Sequence, residues 1–467
     1  MARRRAGPWV ASRQPQRVEP PLSLWGLTLS PDGRLVADGV ALGELVATYG
    51  SPLHVVSAAA LTRNVEAALA PFVAGRGADV FFSYKTNPVP GVLARLHRMG
   101  VGAEVISPYE LWLALELGVP GDRIIYNGPA KSTESLRLAI ESDVLLVNAN
   151  SPGDVKAIAR LADEMGRTAN LGVRVTLPGM WAGQFGIRSS STQVLDSVRL
   201  AIDAPHVALR GLHFHRGVVI RDEDVMAAFV NDVLEFCDRL RAETRWHPEI
   251  LDLGGSLACP TVAPFPRLQF RYNRALATDL LPPDPSTCLR IGQASALAAG
   301  LVANHFAALG LEPPRVVLEP GRAMTGDTQL LLTTVLDVKN DGEPCHVILD
   351  AGINIAEPVT NEYHHLLSVS APGDDATRSY RLAGPICTPA DVLYNNWRLP
   401  ELAAGHVLAI MDTGAYCVAF STSFSFPRPA IVMHEAGEVA VLRDGETFDD
   451  LCARDHLVRL APDGPVG

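Results

Sequence analysis

Lys85 stands at the end of an apolar run, Phe81-Phe82-Ser83-Tyr84, and is followed at once by the turn signal Asn87-Pro88. A lysine fixed where a buried strand ends sits on a rigid element beside aromatic rings. Such surroundings can lower its pKa and free the amine as a nucleophile. Alone, a lysine of this kind is more often a snorkelling residue with its stem on apolar surface. Its company along the chain argues otherwise. Other polar residues end further apolar runs: Glu104, Asn127, Asn148, Arg174, His213 and His215, Gly254-Gly255, and Glu319-Pro320-Gly321-Arg322. A diglycine lets backbone N–H groups approach an anion closely, and an arginine can clamp the same anion with its fork of donors. Singly, Gly-Gly and Glu-Pro-Gly-Arg are ordinary turns. An amine, two acids, histidines and an anion site are hard to explain together by core packing.

These residues need a scaffold that brings many strand ends to one rim. Short β-rich runs occur at 78–84, 102–106, 123–126, 144–147, 171–175, 209–215, 250–253 and 315–318. Between them lie stretches with helical spacing, among them 88–99, 109–117, 132–140, 152–165, 222–241 and 294–309. Eight buried strands alternating with helices predict a parallel (β/α)8 barrel, whose C-terminal face carries the active site. The diglycine and Arg322 then fall after strands seven and eight, where this barrel class places phosphate. A Schiff-base lysine and a phosphate site in one barrel point to pyridoxal phosphate as cofactor.

The chain divides accordingly. Residues 1–23 read as a disordered basic and Pro-rich arm, and 24–47 as strands that join a β domain. The barrel spans 48–322, and the β domain 323–467. The proline-rich stretch 256–292 breaks the barrel's rhythm and reads as an inserted loop near its mouth, too irregular for one regular element. Net charge is −11, which argues against nucleic acid or anionic membrane as the main partner, the Arg3-Arg4-Arg5 run notwithstanding. Seven cysteines, an odd count with no C-x-x-C pair, fit a reducing compartment and no structural zinc. No apolar stretch is long enough to span a bilayer and the N-terminus has no hydrophobic signal core, so a soluble cytoplasmic protein is expected. A metal-dependent hydrolase using His213, His215 and Glu319 would leave Lys85 and the anion site unexplained, so no metal is expected.

Six segments carry a resemblance. They are Tyr84-Lys85-Thr86-Asn87, Gly211-Leu212-His213-Phe214-His215, Leu253-Gly254-Gly255, Glu319-Pro320-Gly321-Arg322, Gly384-Pro385-Ile386-Cys387 with Asp391, and Asp412-Thr413-Gly414-Ala415-Tyr416. In this order they resemble the fold-type III pyridoxal-phosphate decarboxylases, the family of diaminopimelate and ornithine decarboxylases. The resemblance implies an alanine-racemase-like barrel with a C-terminal β-barrel or sandwich domain that includes an N-terminal strand. It also implies roles. Lys85 would hold the cofactor covalently, His215 would lie on its ring face, and Glu104 would pair with Arg174 near the ring. Gly254, Gly255, Gly321, Arg322 and Tyr416 would hold the phosphate. Glu319 would face the pyridine nitrogen and keep it protonated, making the ring a strong electron sink for the loss of CO2. Alanine racemases of this fold resemble one another in placing arginine there, so Glu319 favours decarboxylation over racemisation. Cys387 would reach across a homodimer interface and help reprotonate the substrate carbon.

The departures from the family pattern concern the substrate. Val218 stands where a serine or its like contacts the phosphate, and Thr388 replaces the acid after the cysteine. The arginine and tyrosine that bind a distal carboxylate in diaminopimelate decarboxylases fall near Glu357 and Asn361. Glu362 falls near the acid that meets a distal amine in ornithine decarboxylases. A glutamate repels a carboxylate. The expectation is a decarboxylase of a diamino or modified amino acid, free or carrier-linked, and not of free meso-diaminopimelate, with Arg322, Glu357, Asn361, Glu362, Thr388 and Asp391 at the substrate. The alternatives are a racemase or epimerase of the same fold and a non-catalytic, decarboxylase-like binding protein.

Overall fold

The computed structural model describes residues 19–340, 344–372, 376 and 378–456. Residues 1–18, most of the expected arm, lie outside the described residues. Eight parallel strands close a barrel in chain order: Asp79–Ser83, Gly102–Val105, Ile124–Tyr126, Leu146–Ala149, Ala169–Thr176, Val207–His213, Ile250–Asp252 and Arg315–Leu318. The last pairs with the first (Val317 opposite Asp79), and the fourth with the fifth (Asn148 opposite Gly172). Helices cover the outside, so strands such as Asp79–Ser83 and Gly102–Val105 are buried along their whole length. Several helices start where the sequence marks them. Ser107-Pro108 and Ser151-Pro152 each place a serine hydroxyl on an otherwise unpaired N–H, with proline in the first turn.

The register explains how the site is built. Side chains two apart on a strand share a face. Phe81, Ile125, Leu146, Ile250 and Val317 pack together with Leu145 as an apolar plug inside the barrel. Two residues further along the same inward face come Ser83, Asn127, Asn148, Asp252 and Glu319. On the other three strands the inward residues are Gly102, Gly172 and Gly211, followed by Glu104, Arg174 and His213. A Cβ on Gly102 would fall 2.4 Å from the Phe81 ring, and one on Gly172 would fall 2.0 Å from Asn148 Oδ1. The plug therefore needs glycine where its neighbours are large. Below it, fully buried Asp79 binds Arg123 (2.7 Å) and Arg315, closing the lower end. The barrel is a packed core with a polar lid.

The β domain is a nine-stranded sheet built on the long strand Gln329–Lys339. The N-terminal strand that joins it is Leu53–Ser57, which pairs with Gln329–Lys339 and Ala430–Glu435. That corrects the expectation that strands within 24–47 join it. Strands Leu27–Leu29, Leu35–Ala37 and Val40–Ala41 form a separate three-stranded sheet, whose Leu27 and Leu35, with Trp25 just before it, pack on Leu53, Val55 and Leu330 without pairing. Leu53-His54-Val55-Val56 is buried on both faces, as a central strand must be, and lacks the alternation that would have set it apart from a barrel segment.

The stretch 256–292 also differs from expectation, because it contains a regular helix, Arg267–Leu276. Phe265 stacks on Phe270 (5.2 Å), and buried Asn273 donates to the carbonyls of Thr278 (2.7 Å) and Asn396 (3.1 Å). Proline density hid a ten-residue helix that begins immediately after Pro266. Its leading edge pairs with the β domain: Phe265 N–H donates to Asn361 O and Tyr363 N–H to Ala263 O. No helix among the described residues is long and apolar enough to cross a membrane.

Candidate active site

Lys85 lies in a short turn, Tyr84–Thr86, directly after the first barrel strand. Its Nζ donates to Ser83 Oγ (2.6 Å) and to Glu104 Oε2 (3.0 Å), and the Ser83 hydroxyl donates in turn to the same carboxylate. Burial pulls the ammonium pKa down, but Glu104, Tyr416 and Glu319 outweigh it and leave Lys85 above the ordinary lysine value. This corrects the expectation of a lowered pKa. Apolar flanks in the sequence conceal three acidic or phenolic neighbours brought in by distant parts of the chain.

Behind Lys85 the inward polar residues form one network. Asn127 Nδ2 donates to Glu104 Oε1 (2.9 Å) and to Glu319 Oε1 (2.6 Å), joining the two acids that the sequence singled out. Asn148 Nδ2 donates to Asn127 Oδ1 (2.8 Å). His213 Nε2 lies 3.5 Å from Glu319 Oε2, with both groups almost fully buried. Burial works against the Glu319 charge, yet His213, a hydrogen bond with Asp252 and Lys85 hold it below the usual carboxylate range. Asp252 behaves in the opposite way, since burial and then the Glu319 charge raise it well above that range. The opposite shifts have one cause: two buried carboxyls this close oppose each other's charge.

Arg174 does not make the expected pair with Glu104. Its guanidinium stacks over Phe185 (4.7 Å to the ring centre), while Glu104 is already committed to Ser83, Lys85 and Asn127. His215 lies beside the diglycine, its Nδ1 accepting from Gly255 N–H (3.3 Å) and its Nε2 3.3 Å from Ser256 Oγ. Burial, then Lys85, push its pKa down to about 3, so the imidazole is neutral. Trp181 leans over it at 6.0 Å and also packs against Gly217. Glu110, buried behind the second strand, is raised by burial to about 7. The sequence reading gave no role to Ser83, Asp252, Glu110 or Trp181. For Ser83 and Asp252 the signal was the period of two, which puts them on the face of Lys85's partners.

The substrate end is arranged differently from expectation. Arg322 is held by Glu362 in a bidentate ion pair, through NH1 to Oε2 and NH2 to Oε1 (2.8 Å), and lies over the Tyr416 ring at 5.4 Å. Both terminal nitrogens are spent on Glu362, so Arg322 is not a free anion clamp. Glu357 accepts from Asn361 Nδ2 (3.2 Å) on the adjoining turn. Asp391 is buried and accepts backbone N–H groups from Ile353 and Ile386, both at 2.8 Å. It therefore pins two loops rather than facing a substrate. Cys387 and Thr388 lie between Ile386 and that anchor; Cys387 is exposed and the neighbouring Thr388 half-buried.

The donor set suits pyridoxal phosphate. An amine and an ionised acid stand on one rim. Beside them, Gly254 (φ +66°) and Gly255 form a cradle that a Cβ would fill, at 2.6 Å from His215 Nδ1 and 2.4 Å from Glu319 O respectively. Tyr416, also left-handed (φ +68°), is tied to the lysine turn by its N–H to Thr86 O (2.8 Å). His213, His215 and Glu319 bring ligand atoms within 4.8 Å of one another. A metal there would compete with the hydrogen bonds that Glu319 already makes.

Comparison with known proteins agrees with this chemistry. The family model for the pyridoxal binding domain of the pyridoxal-dependent decarboxylases matches residues 58–326. Diaminopimelate decarboxylase from Aquifex aeolicus is 29% identical over 432 residues, covering 90% of this chain and 94% of that protein. The protein of the same name from Methanocaldococcus jannaschii is 28% identical over 443 residues, covering 91% and 95%. A solved structure of the latter in complex with L-lysine superposes with a TM-score of 0.80 at 26% identity, covering 92% of this chain and 98% of that one.

Proposed function

The chain belongs to the pyridoxal-dependent decarboxylases, and from that premise we propose that it removes the α-carboxylate of a diamino or modified amino acid rather than of free meso-diaminopimelate. It is a carboxy-lyase dependent on pyridoxal phosphate. What supports the substrate reading is the pairing of Arg322 with Glu362, with Glu357 and Asn361 beside it. The Arg322 cation is neutralised by Glu362, and Glu357 is a further acid at the position where the family resemblance would put a ligand of a distal carboxylate. A distal ammonium or a neutral modified side chain is free of this repulsion. The relatives are named for diaminopimelate, but at 28–29% identity they leave room for a changed substrate end.

When bound, the cofactor supplies an aldehyde for covalent capture of amines and a ring that accepts the electron pair left by departing CO2. The chain's own groups divide the remaining work. Lys85 offers the amine, and the Ser83 and Glu104 oxygens are placed to take its proton. Glu319, held below the usual carboxylate range, would keep a proton on the pyridine nitrogen of a bound cofactor. Neutral His215 offers a flat face for the ring, and Gly254, Gly255, Gly321 and Tyr416 would hold the phosphate. Cys387, exposed on the single chain and without a hydrogen bond to the rim among the described residues, delivers a proton to the substrate carbon from a second copy. The active unit on this reading is a homodimer, working in a reducing compartment where the seven unpaired cysteines persist.

The test is CO2 release across L- and D-amino acids and their acylated forms, with Lys85→Ala as the blank. Release from a basic or side-chain-modified amino acid, with little from meso-diaminopimelate, supports the reading. Saturable release from meso-diaminopimelate at ordinary concentrations overturns it.

A further inference from the structure

Asp252 is a fully buried carboxyl at the rim end of the barrel's inward face that the reaction as described does not use. It ends the seventh strand, two residues before the diglycine, and its two oxygens face different ways. Oδ1 accepts the Gly254 N–H at 2.9 Å. Oδ2 lies 3.4 Å from Asn148 Nδ2, and Asp252 pairs across the strands with Val317, two residues before Glu319 on the same inward face. The groups around it are Glu319 from the eighth strand, Glu104 from the second, Arg174 from the fifth and His213 from the sixth. Two carboxylates in one dry site repel strongly, and a single proton between them turns that repulsion into a hydrogen bond.

The geometry points to Asp252 as a positioning residue: a carboxylic acid that donates its proton to Glu319 while its other oxygen holds the Gly254–Gly255 turn. It would thereby fix two ends of the cofactor site against each other, the acid at the ring nitrogen and the backbone cradle at the phosphate. The proton assignment follows from the partners. Glu319 has Asn127, His213 and nearby Lys85 to stabilise its charge, whereas Asp252 has one backbone N–H and a long amide contact. This inference rests on the chain's binding pyridoxal phosphate, which the visible absorbance of wild-type protein reports separately.

Asparagine at this position keeps the shape, accepts the Gly254 N–H and donates to Glu319 without carrying charge. Asp252→Asn is therefore expected to keep kcat within about threefold of wild type and cofactor affinity nearly unchanged. Asp252→Ala loses both contacts, and its kcat should fall by about a hundredfold, the scale of one lost preorganised donor, with cofactor binding weakened. Infrared difference spectra between wild type and Asp252→Asn at neutral pH, on protein without cofactor, should show a protonated-carboxyl band that the variant lacks. The stability signature has a definite sign. A carboxyl raised above its unfolded value makes stability fall as pH climbs through that window, so Asp252→Asn should melt at or above the wild-type temperature at neutral pH. The absence of the protonated band, or an Asn variant as defective as the Ala variant, overturns the assignment. Because the infrared and Asn measurements need no cavity, the test stands even where Asp252→Ala fails to fold.

Discussion

Lys85 is useful only after its proton leaves, and its neighbours hold that proton tightly. Glu104 stabilises the ammonium directly and also through Ser83, so the resting amine is charged and the route for its proton is already built. Replacing Lys85 by alanine should abolish the visible absorbance of the covalently held cofactor and lower decarboxylation by at least about a thousandfold. Loss of activity with full retention of that absorbance would contradict the assigned role. Glu362 offers a sharper test of selectivity. Glu362→Gln removes the charge that neutralises Arg322 and leaves the guanidinium to bind an anion. A charge-assisted hydrogen bond is worth roughly 1.5–3 kcal/mol, so KM for substrates with a distal carboxylate should fall about tenfold or more. KM for those with a distal ammonium should rise. Unchanged KM for both classes would separate this ion pair from the substrate end.

At the scale of elements, the seventh and eighth strands do most of the positioning, and the 256–292 stretch connects them to the β domain. Its helix Arg267–Leu276 is fastened at its C-terminal end by two buried amides: Asn273 reaches the Thr278 and Asn396 carbonyls, and Asn396 reaches back to those of Ala277 and Thr278. Asn273→Ala takes this donor from the Asn396 carbonyl and leaves Thr278 O only its long contact with Asn396 Nδ2, and should cost about 1–3 kcal/mol. Limited proteolysis should then cut within 256–292 before it cuts the barrel, and KM should rise more than kcat falls. Equal resistance to protease would mean that the helix is held by other contacts. The barrel strands were legible because each is a short apolar run ending in one polar residue, and the rim followed from where those runs end. The partnerships on the rim were not. Arg322 with Glu362, and Asp79 with Arg123 and Arg315, join strands or domains far apart in sequence, and no local spacing encodes them. The helix after Pro266 escaped for a related reason: its hold is tertiary, two asparagines far apart in sequence that each reach the other segment's backbone.

For the whole molecule, the argument turns on Cys387. Its loop is anchored by Asp391, which fastens Ile353 and Ile386 N–H groups, so the cysteine is presented by a rigid turn and yet is exposed. A buried anchor beneath an exposed thiol suits a residue whose target lies on another copy of the chain. If each site takes Lys85 from one subunit and Cys387 from its partner, two inactive variants should complement each other. Lys85→Ala and Cys387→Ala, co-expressed and purified through separate tags as the mixed species, place one site with both lesions and one with neither. A random mixture should recover about a quarter of wild-type activity, since half the dimers are mixed and each carries one intact site. Each variant alone should remain near its own floor, and the recovery should track the mixed species on a gel of tagged chains. Mixed dimers no more active than the Cys387→Ala parent would place the proton donor within one subunit. A chain that is monomeric at working concentration would remove the shared site altogether.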